Sequence, residues 1–158
     1  TVAVLEQRVA ALDDAAAATA TSSGMAALFS ALLTICSAGD HIVASSQLYG
    51  ANVNLLKYTL PRFGIHTTFV DPTNHEEIKL AITENTKIFF SEIIGNPGLV
   101  ILDVDAVAKI CQEHSILFMV DGTFNTPYLM APVKNGVNII IHSLTKWMGG
   151  HGLSLIHI

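Results

Sequence analysis

Residues 116–120 have the sequence Ile-Leu-Phe-Met-Val, and Asp121 ends this unbroken apolar run. Strands buried on both faces of a parallel sheet show such continuous runs, whereas half-exposed strands alternate between apolar and polar residues. Residues 137–141 form a second run of this kind, although Asn138 lies within it. The two runs therefore predict strands of a sheet that is covered on both sides.

Strand and helix patterns alternate along the rest of the chain. Further strands are predicted at residues 41–45, 65–70 and 87–90. Helices are predicted at residues 2–13, 25–36, 50–63 and 103–114. A further helix, capped by Thr73 or Asn74, is predicted to run to Ile82. Such alternation indicates βαβ units. We therefore predict an α/β fold, in which a mostly parallel sheet carries helices on both faces.

The composition limits the possible partners of the chain. Its residues are 51% hydrophobic and 13% charged, whereas about 25% charged is typical of soluble domains. Its apolar runs are shorter than the roughly 20 residues of a membrane-spanning helix, so we expect no membrane partner. The low charge indicates instead that further chain or another subunit covers much of the surface. The eight Lys and Arg are scattered and the net charge is −5, so nucleic acid is not expected either.

The cysteines and the first residues of the chain indicate where the protein works. Cys36 and Cys111 lie far apart, which predicts a reducing compartment and argues against a disulfide scaffold or a zinc site. No other metal-ligand spacing is found, and the first residues do not have the pattern of a signal peptide. We therefore expect a cytoplasmic protein without a metal.

Polar or glycine-bearing segments follow the predicted strands. In an open α/β sheet, ligands bind beyond the carboxyl ends of the strands. We therefore expect five such segments to meet at one edge of the sheet. They are Ser22-Ser23-Gly24, Gln47-Leu48-Tyr49-Gly50, Gly95-Asn96-Pro97, Asp121-Gly122-Thr123 and His142-Ser143-Leu144-Thr145-Lys146.

Two of these segments have residues suited to charged groups. The segment that ends in Gly24-Met25 begins a helix and could bind an anion through free backbone N–H groups. A plain helix cap by Ser22 or Ser23 is the alternative. Asp121 could hold a ring nitrogen in its protonated form through a charge-assisted hydrogen bond. An ordinary turn residue is the alternative there.

The remaining segments offer a nucleophile and groups that could contact a flat ligand. Lys146 lies beside apolar residues, and partial burial would lower its pKa and make its amine nucleophilic; a surface lysine is the alternative. Ser143 and Thr145 could turn their hydroxyls toward one phosphate. Tyr49 could stack on a flat cofactor or belong to the core, and Asn96 could donate to a phenolic oxygen or simply form a turn.

The order of these motifs resembles that of the fold-type I PLP (pyridoxal 5'-phosphate) enzymes of cysteine and methionine metabolism. The resemblance runs from about Val4 to Gly152, and it rests on Ser-Gly-Met, Tyr-Gly, Gly-Asn-Pro, Asp-x-Thr-Phe and Ser-x-Thr-Lys. It implies the large domain of a PLP-dependent transferase of the aspartate aminotransferase-like fold. Residues 94–98 and 142–152 are most similar to the O-acetylhomoserine sulfhydrylase branch of the family.

The resemblance also implies roles for individual residues. Lys146 is implied to hold PLP as the internal aldimine and to shuttle protons. Asp121 is implied to pair with the pyridinium nitrogen, and Tyr49 to stack on the ring. The cofactor-binding set implied in this way is Ser23, Gly24, Met25, Tyr49, Asn96, Asp121, Thr123, Ser143, Thr145 and Lys146.

The implied reaction is γ-replacement on O-acetyl-L-homoserine, in which sulfide or a thiol displaces acetate to give homocysteine or methionine. Cystathionine γ-synthase and methionine γ-lyase activities are alternatives within the family, and a non-catalytic α/β ligand-binding module is an alternative of another class. A homotetramer is implied for the full-length enzyme. These roles place the protein in methionine biosynthesis and trans-sulfuration.

Several departures from the family pattern lead to further expectations. Gly122 stands where the family usually has Asn, and we expect a looser loop there. The family's N-terminal arm and C-terminal domain have no counterpart, so residues 1–152 are expected to be an incomplete PLP-binding domain that is inactive alone. Residues 153–158 depart from the family, and an assembly or truncation artefact is expected there.

Overall fold

A computed structural model describes residues 1–152 of the chain, so the expectation about residues 153–158 lies outside the described part. Five strands form one sheet in the order β2-β1-β3-β4-β5, and every neighbouring pair is parallel. The strands are β1 (His41–Ser45), β2 (His66–Val70), β3 (Thr86–Glu92), β4 (Leu117–Asp121) and β5 (Ile139–Ile141). The predicted parallel α/β fold is confirmed.

Six helices connect or flank these strands. They are α1 (Val2–Leu12), α2 (Gly24–Ile35), α3 (Gly50–Asn54), α4 (His75–Ala81), α5 (Val104–Glu113) and α6 (Thr126–Leu129). A π-helical turn (Leu55–Thr59) and a 3-10 turn (Leu60–Phe63) continue α3, and a second 3-10 turn (Pro132–Asn135) precedes β5. In residues 1–152, no helix has the length and apolar character needed to cross a membrane.

The predictions missed α6 and the 3-10 turn before β5. Each has four residues and a proline at its first or second position, so neither is long enough to show a helical period. Strand β5 is also shorter than predicted. Asn138 lies just before it, where its side-chain oxygen accepts the Phe118 backbone N–H at 2.8 Å. The polar residue within that apolar run thus continues the hydrogen bonding to β4 through its side chain.

Helices cover both faces of the sheet because successive strand residues point to opposite sides. On one face, alternate residues of β1 and β3 pack with α2 and the segment that begins with α3. The buried residues of this core include Leu28, Leu32, Ile42, Leu56, Ile88 and Phe90. On the other face, the intervening strand residues pack with α4 and α5. This second core includes Val43, Ile78, Phe89, Val107 and Phe118.

The strand order creates a crevice between the carboxyl ends of β1 and β3. After β1 the chain crosses to β2 on one side, and later strands are added on the other side, beginning with β3. Loops that leave two neighbouring strands in opposite directions open a crevice between them, where α/β proteins bind ligands. The loops after β1 and β3 carry Tyr49 and Asn96, respectively. The topology therefore places both residues at this crevice.

Candidate active site

The N-terminus of α2 lies at one side of the site. Contrary to expectation, Ser22-Ser23-Gly24 does not follow a strand, since residues 13–23 form none. Ser23 caps α2, and its hydroxyl accepts the Ala26 N–H at 3.1 Å. The alternative of a helix cap is thus correct for Ser23, whose O–H remains able to donate. Within residues 1–152, no acceptor is recorded for the backbone N–H groups of Gly24 and Met25, which are free for an anion.

The turn after β5 lies directly against this helix end. A Cβ atom added to Gly24 would be only 3.0 Å from Ser143 Cβ and 3.2 Å from its Cα, so the two backbones approach as closely as glycine allows. The Ser143 and Thr145 hydroxyl oxygens are 3.1 Å apart. The predicted pair of hydroxyls therefore faces one point beside free N–H groups, an arrangement suited to a phosphate.

Thr123 joins this hydroxyl pair to Asp121. The Ser143 N–H donates to Thr123 Oγ1 at 2.9 Å, and the Thr123 N–H donates to Asp121 Oδ1 at 2.8 Å. Burial raises the pKa of Asp121, while hydrogen bonds from Thr123 and the proximity of His142 lower it. A partly buried carboxylate in this position gains stability from a cationic partner. The protonated ring nitrogen of PLP is such a partner, so the position and chemistry of Asp121 fit a PLP ring.

Glu92, at the end of β3, is a central residue that sequence reasoning missed. Its Oε1 accepts the Tyr49 N–H at 2.6 Å and the Asn52 side-chain N–H at 3.0 Å, and its Oε2 accepts the Asn96 N–H at 3.1 Å. The side chain is 7% exposed and lies in register with Asp121 on β4. Burial, reinforced by the charge of Asp121, raises the pKa of Glu92 to about 7.

A signal for Glu92 was present in the sequence. It ends an apolar strand just as Asp121 does, and a charged residue in that position is rarely buried without a partner. The sequence could not show that its partners are backbone N–H groups of two different loops.

Two predicted residues differ in their exposure from what the sequence suggested. The Tyr49 side chain is 50% exposed, so the alternative of a core tyrosine is wrong and its ring is available to a ligand. Lys146 is exposed, contrary to the expected partial burial. The apolar residues around it do not cover it, because Ile139–Ile141 belong to the edge strand β5 and Trp147 is itself 68% exposed.

Gly122 leaves room for a buried hydrogen-bonded pair, His142 and Asp13, behind the site. His142 Nε2 is 2.9 Å from Asp13 Oδ2, and both side chains are about 5% exposed or less. A Cβ atom at Gly122 would lie 2.7 Å from His142 Cε1. The loop is held by hydrogen bonds from the Gly122 N–H to the Ile141 carbonyl and from the Thr126 N–H to the Gly122 carbonyl. The missing side chain thus gives space to the His142 ring.

Two hollows in the described part of the chain lie away from these residues. One has a volume of about 590 Å³ and is lined by residues that include Thr86 and Leu117, the first residues of β3 and β4. The other, about 740 Å³, is lined partly by Leu117 and Asn138. Both therefore lie at the amino-terminal edge of the sheet, opposite the predicted site residues.

Comparisons with known proteins find similar sequences over nearly the whole chain. The family model described as "Cys/Met metabolism PLP-dependent enzyme" matches residues 1–157. The chain is 49% identical over 152 residues to an O-acetyl-L-homoserine sulfhydrylase of Leptospira meyeri, covering 96% of this chain and 34% of that protein. It is 46% identical over 153 residues to an L-methionine gamma-lyase of Fusobacterium nucleatum subsp. polymorphum, covering 96% and 39%.

A solved structure shows the same fold with the cofactor attached. It is a Campylobacter jejuni protein assigned as an O-acetylhomoserine (thiol)-lyase, which contains N'-pyridoxyl-lysine-5'-monophosphate. Its TM-score is 0.93 at 37% identity, and the match covers 96% of this chain and 37% of that one. The chain thus spans somewhat more than a third of the length of the proteins it matches.

Proposed function

Because the chain belongs to the family of Cys/Met metabolism PLP-dependent enzymes, we propose that the whole protein catalyses γ-replacement on O-acetyl-L-homoserine. Acetate leaves the γ carbon, and the sulfur of sulfide or a thiol bonds to that carbon, giving homocysteine or methionine. The observation that carries the proposal is the chain of contacts from Gly24 through Ser143 and Thr123 to Asp121. It joins a helix end suited to an anion to a partly buried carboxylate.

We assign different residues to different parts of the cofactor. The Gly24 and Met25 N–H groups, with the hydroxyls of Ser23, Ser143 and Thr145, are suited to the phosphate. Asp121 is suited to the ring nitrogen, and the exposed ring of Tyr49 to the ring face. Asn96 and Thr123 are assigned to the ring substituents.

When bound, PLP supplies an electron-withdrawing ring that stabilises negative charge on substrate carbons. Asp121 favours this chemistry by keeping a proton on the ring nitrogen. The Lys146 amine would hold the cofactor, and we propose that it takes protons from and returns protons to the α and β carbons of the substrate. The exposure of Lys146 leaves its amine free to reach the ligand.

Methionine γ-lyase activity is the second candidate, because the identity to such a lyase is nearly as high as to the sulfhydrylase. Cystathionine γ-synthase activity is a third possibility within the family. The full-length enzyme should be incubated with O-acetyl-L-homoserine and sulfide, and separately with L-methionine alone. Sulfide-dependent homocysteine formation supports the proposal, whereas release of methanethiol from methionine as the main activity contradicts it.

A substitution of Lys146 distinguishes an enzyme from a non-catalytic binding module. Full-length protein reconstituted with PLP should absorb near ~420 nm, as protein-bound PLP generally does when linked to a lysine. Lys146→Ala should lose this band, whereas Lys109→Ala, at an exposed position of α5, should keep it. A folded parent protein without the band, or a Lys146→Ala variant that keeps it, would contradict the assignment.

The assembly and location of the whole protein are part of the same proposal. We infer a homotetramer, because α1 exposes Val2, Val4, Leu5 and Leu12 by 43–60%, and exposed apolar side chains on one helix favour an interface. We infer the cytoplasm, because Cys36 and Cys111 are buried free thiols, which is typical of a reducing compartment.

A further inference from the structure

The loops after β1 and β3 form the two sides of the crevice, and one side chain connects them. Glu92 accepts the backbone N–H of Tyr49 from the first loop and that of Asn96 from the second. The two loops also pack closely, since a Cβ atom at Gly95 would lie 2.9 Å from the Gln47 carbonyl oxygen. The Glu92 carboxylate therefore largely determines where the Tyr49 ring lies relative to Asn96.

A carboxylate suits this position better than any neutral side chain. Three N–H donors converge on Glu92, from Tyr49, Asn96 and the Asn52 side chain. An ionised carboxylate only accepts hydrogen bonds, so it can satisfy all three donors. A glutamine of the same shape would present its own NH₂ group to one of them, and that backbone N–H would lose its acceptor in a buried place.

Asn52 links this carboxylate to the one assigned to the ring nitrogen. It is 2% exposed and donates to Glu92, and hydrogen bonding by Asn52 also lowers the pKa of Asp121. Glu92 and Asp121 are paired in register on adjacent strands. The loop that carries Tyr49 and the carboxylate assigned to the ring nitrogen therefore belong to one network of neighbouring polar groups.

We propose that Glu92 is a positioning residue that holds Tyr49 and Asn96 in place around the bound cofactor, acting through their backbone N–H groups. This inference rests on the proposed PLP function, but Glu92 itself is assigned no contact with the cofactor. It differs in this respect from Asp121, which is assigned to the ring.

The test is the affinity of the full-length apoprotein for PLP, measured by absorbance titration, together with the visible circular dichroism of the bound cofactor. Glu92→Gln should raise the Kd about tenfold, the effect of losing one charge-assisted hydrogen bond, and should change the dichroism because the ring is held differently. Glu84→Gln is the matched control, since Glu84 is exposed and lies just before the other end of β3.

A double-mutant cycle separates positioning from a general structural role. Tyr49→Ala keeps the backbone N–H but removes the ring that Glu92 is proposed to hold. If Glu92 acts through Tyr49, Glu92→Gln should weaken PLP binding clearly less in the Tyr49→Ala background than in the parent. Fully additive effects would overturn the proposal.

Other outcomes are also decisive. If Glu92→Gln does not fold, Asn52→Ala removes one donor to the same carboxylate and should raise the Kd by a smaller factor. If the parent binds PLP and the Kd values of both variants lie within about twofold of the parent's, the inference about Glu92 is overturned while the proposed function stands. A twofold change in Kd corresponds to under 0.5 kcal/mol. A folded parent that does not bind PLP would instead contradict the proposed function, and with it this inference.

Discussion

Gly122→Ala tests whether the space beside Gly122 is needed by the buried pair of His142 and Asp13. The added Cβ atom would lie 2.7 Å from His142 Cε1, 3.3 Å from His142 Nδ1 and 3.2 Å from Ile140 Cγ2. Contacts under 3.0 Å cannot persist, so the His142 ring must move. It has little room to do so, because its side chain is only 5% exposed.

The expected loss in the free energy of unfolding follows from the Asp13 carboxylate, which loses its hydrogen-bond partner when the His142 ring moves. Its Nε2 is 2.9 Å from Asp13 Oδ2, and Asp13 Oδ1 has no hydrogen-bond partner recorded among the described residues. Overpacking typically costs about 1–3 kcal/mol, and leaving a buried polar group without its hydrogen-bond partner costs about 1–3 kcal/mol. We expect Gly122→Ala to lower the free energy of unfolding by about 3 kcal/mol, measured by denaturant titration of the full-length apoprotein.

Gly50→Ala is the matched control, because a Cβ atom there meets nothing within 4 Å and Gly50 is the first residue of α3. It should change the stability by less than about 1 kcal/mol. Adding Asp13→Asn to Gly122→Ala should cost less than Asp13→Asn alone, because the pair is already broken. Equal stability of the Gly122→Ala and Gly50→Ala variants would show that the His142 ring moves freely and that this reasoning is wrong.

Two further predictions concern Glu92 and Gly24. Glu92 is ionised in the folded apoprotein above about pH 7, because burial raises its pKa from 4.5 to about 7. Between these two pH values the folded apoprotein keeps a proton that the unfolded chain releases. Its stabilising contribution of about 3 kcal/mol is therefore full below about pH 4.5 and lost as the pH rises through 7. Glu92→Gln should flatten this part of the stability profile, and a parallel profile would contradict the assignment. Gly24→Ala should weaken PLP binding about tenfold, because the added Cβ atom pushes Ser143 away. The control Ser30→Ala, on the exposed side of α2, should leave the Kd for PLP unchanged. An unchanged Kd in Gly24→Ala would refute this prediction.

Much of the fold could be predicted because each strand is short, apolar and buried. The predicted strand at residues 41–45 is correct to the residue, and the others differ by at most two residues at either end. The predicted starts of the helices near residues 73 and 103 lie at or beside the observed N-caps Asn74 and Asp103, whose side chains accept backbone N–H groups. Helix α6 was missed because four residues show no period.

The site residues that could be predicted are those whose identity alone implies a chemistry. A lysine after a strand, a carboxylate that ends one and hydroxyls beside them were proposed as site residues from local sequence and from the order of motifs. Glu92 was not, because its importance comes from three donors that lie 4, 40 and 43 residues away in the chain. The burial of Lys146 was predicted wrongly, because apolar neighbours in sequence were taken for neighbours in space.

The sequence by itself determined the α/β class, the family and the residues suited to a phosphate, a ring nitrogen and an aldehyde. Those properties depend on hydrophobic pattern and side-chain chemistry, which are local. Only the tertiary structure decided which strands are neighbours, and with that the crevice between β1 and β3. It also decided that Glu92 joins the two sides of that crevice and that Gly122 makes room for His142. These are contacts between distant residues, and packing fixes them only when the whole sheet has assembled.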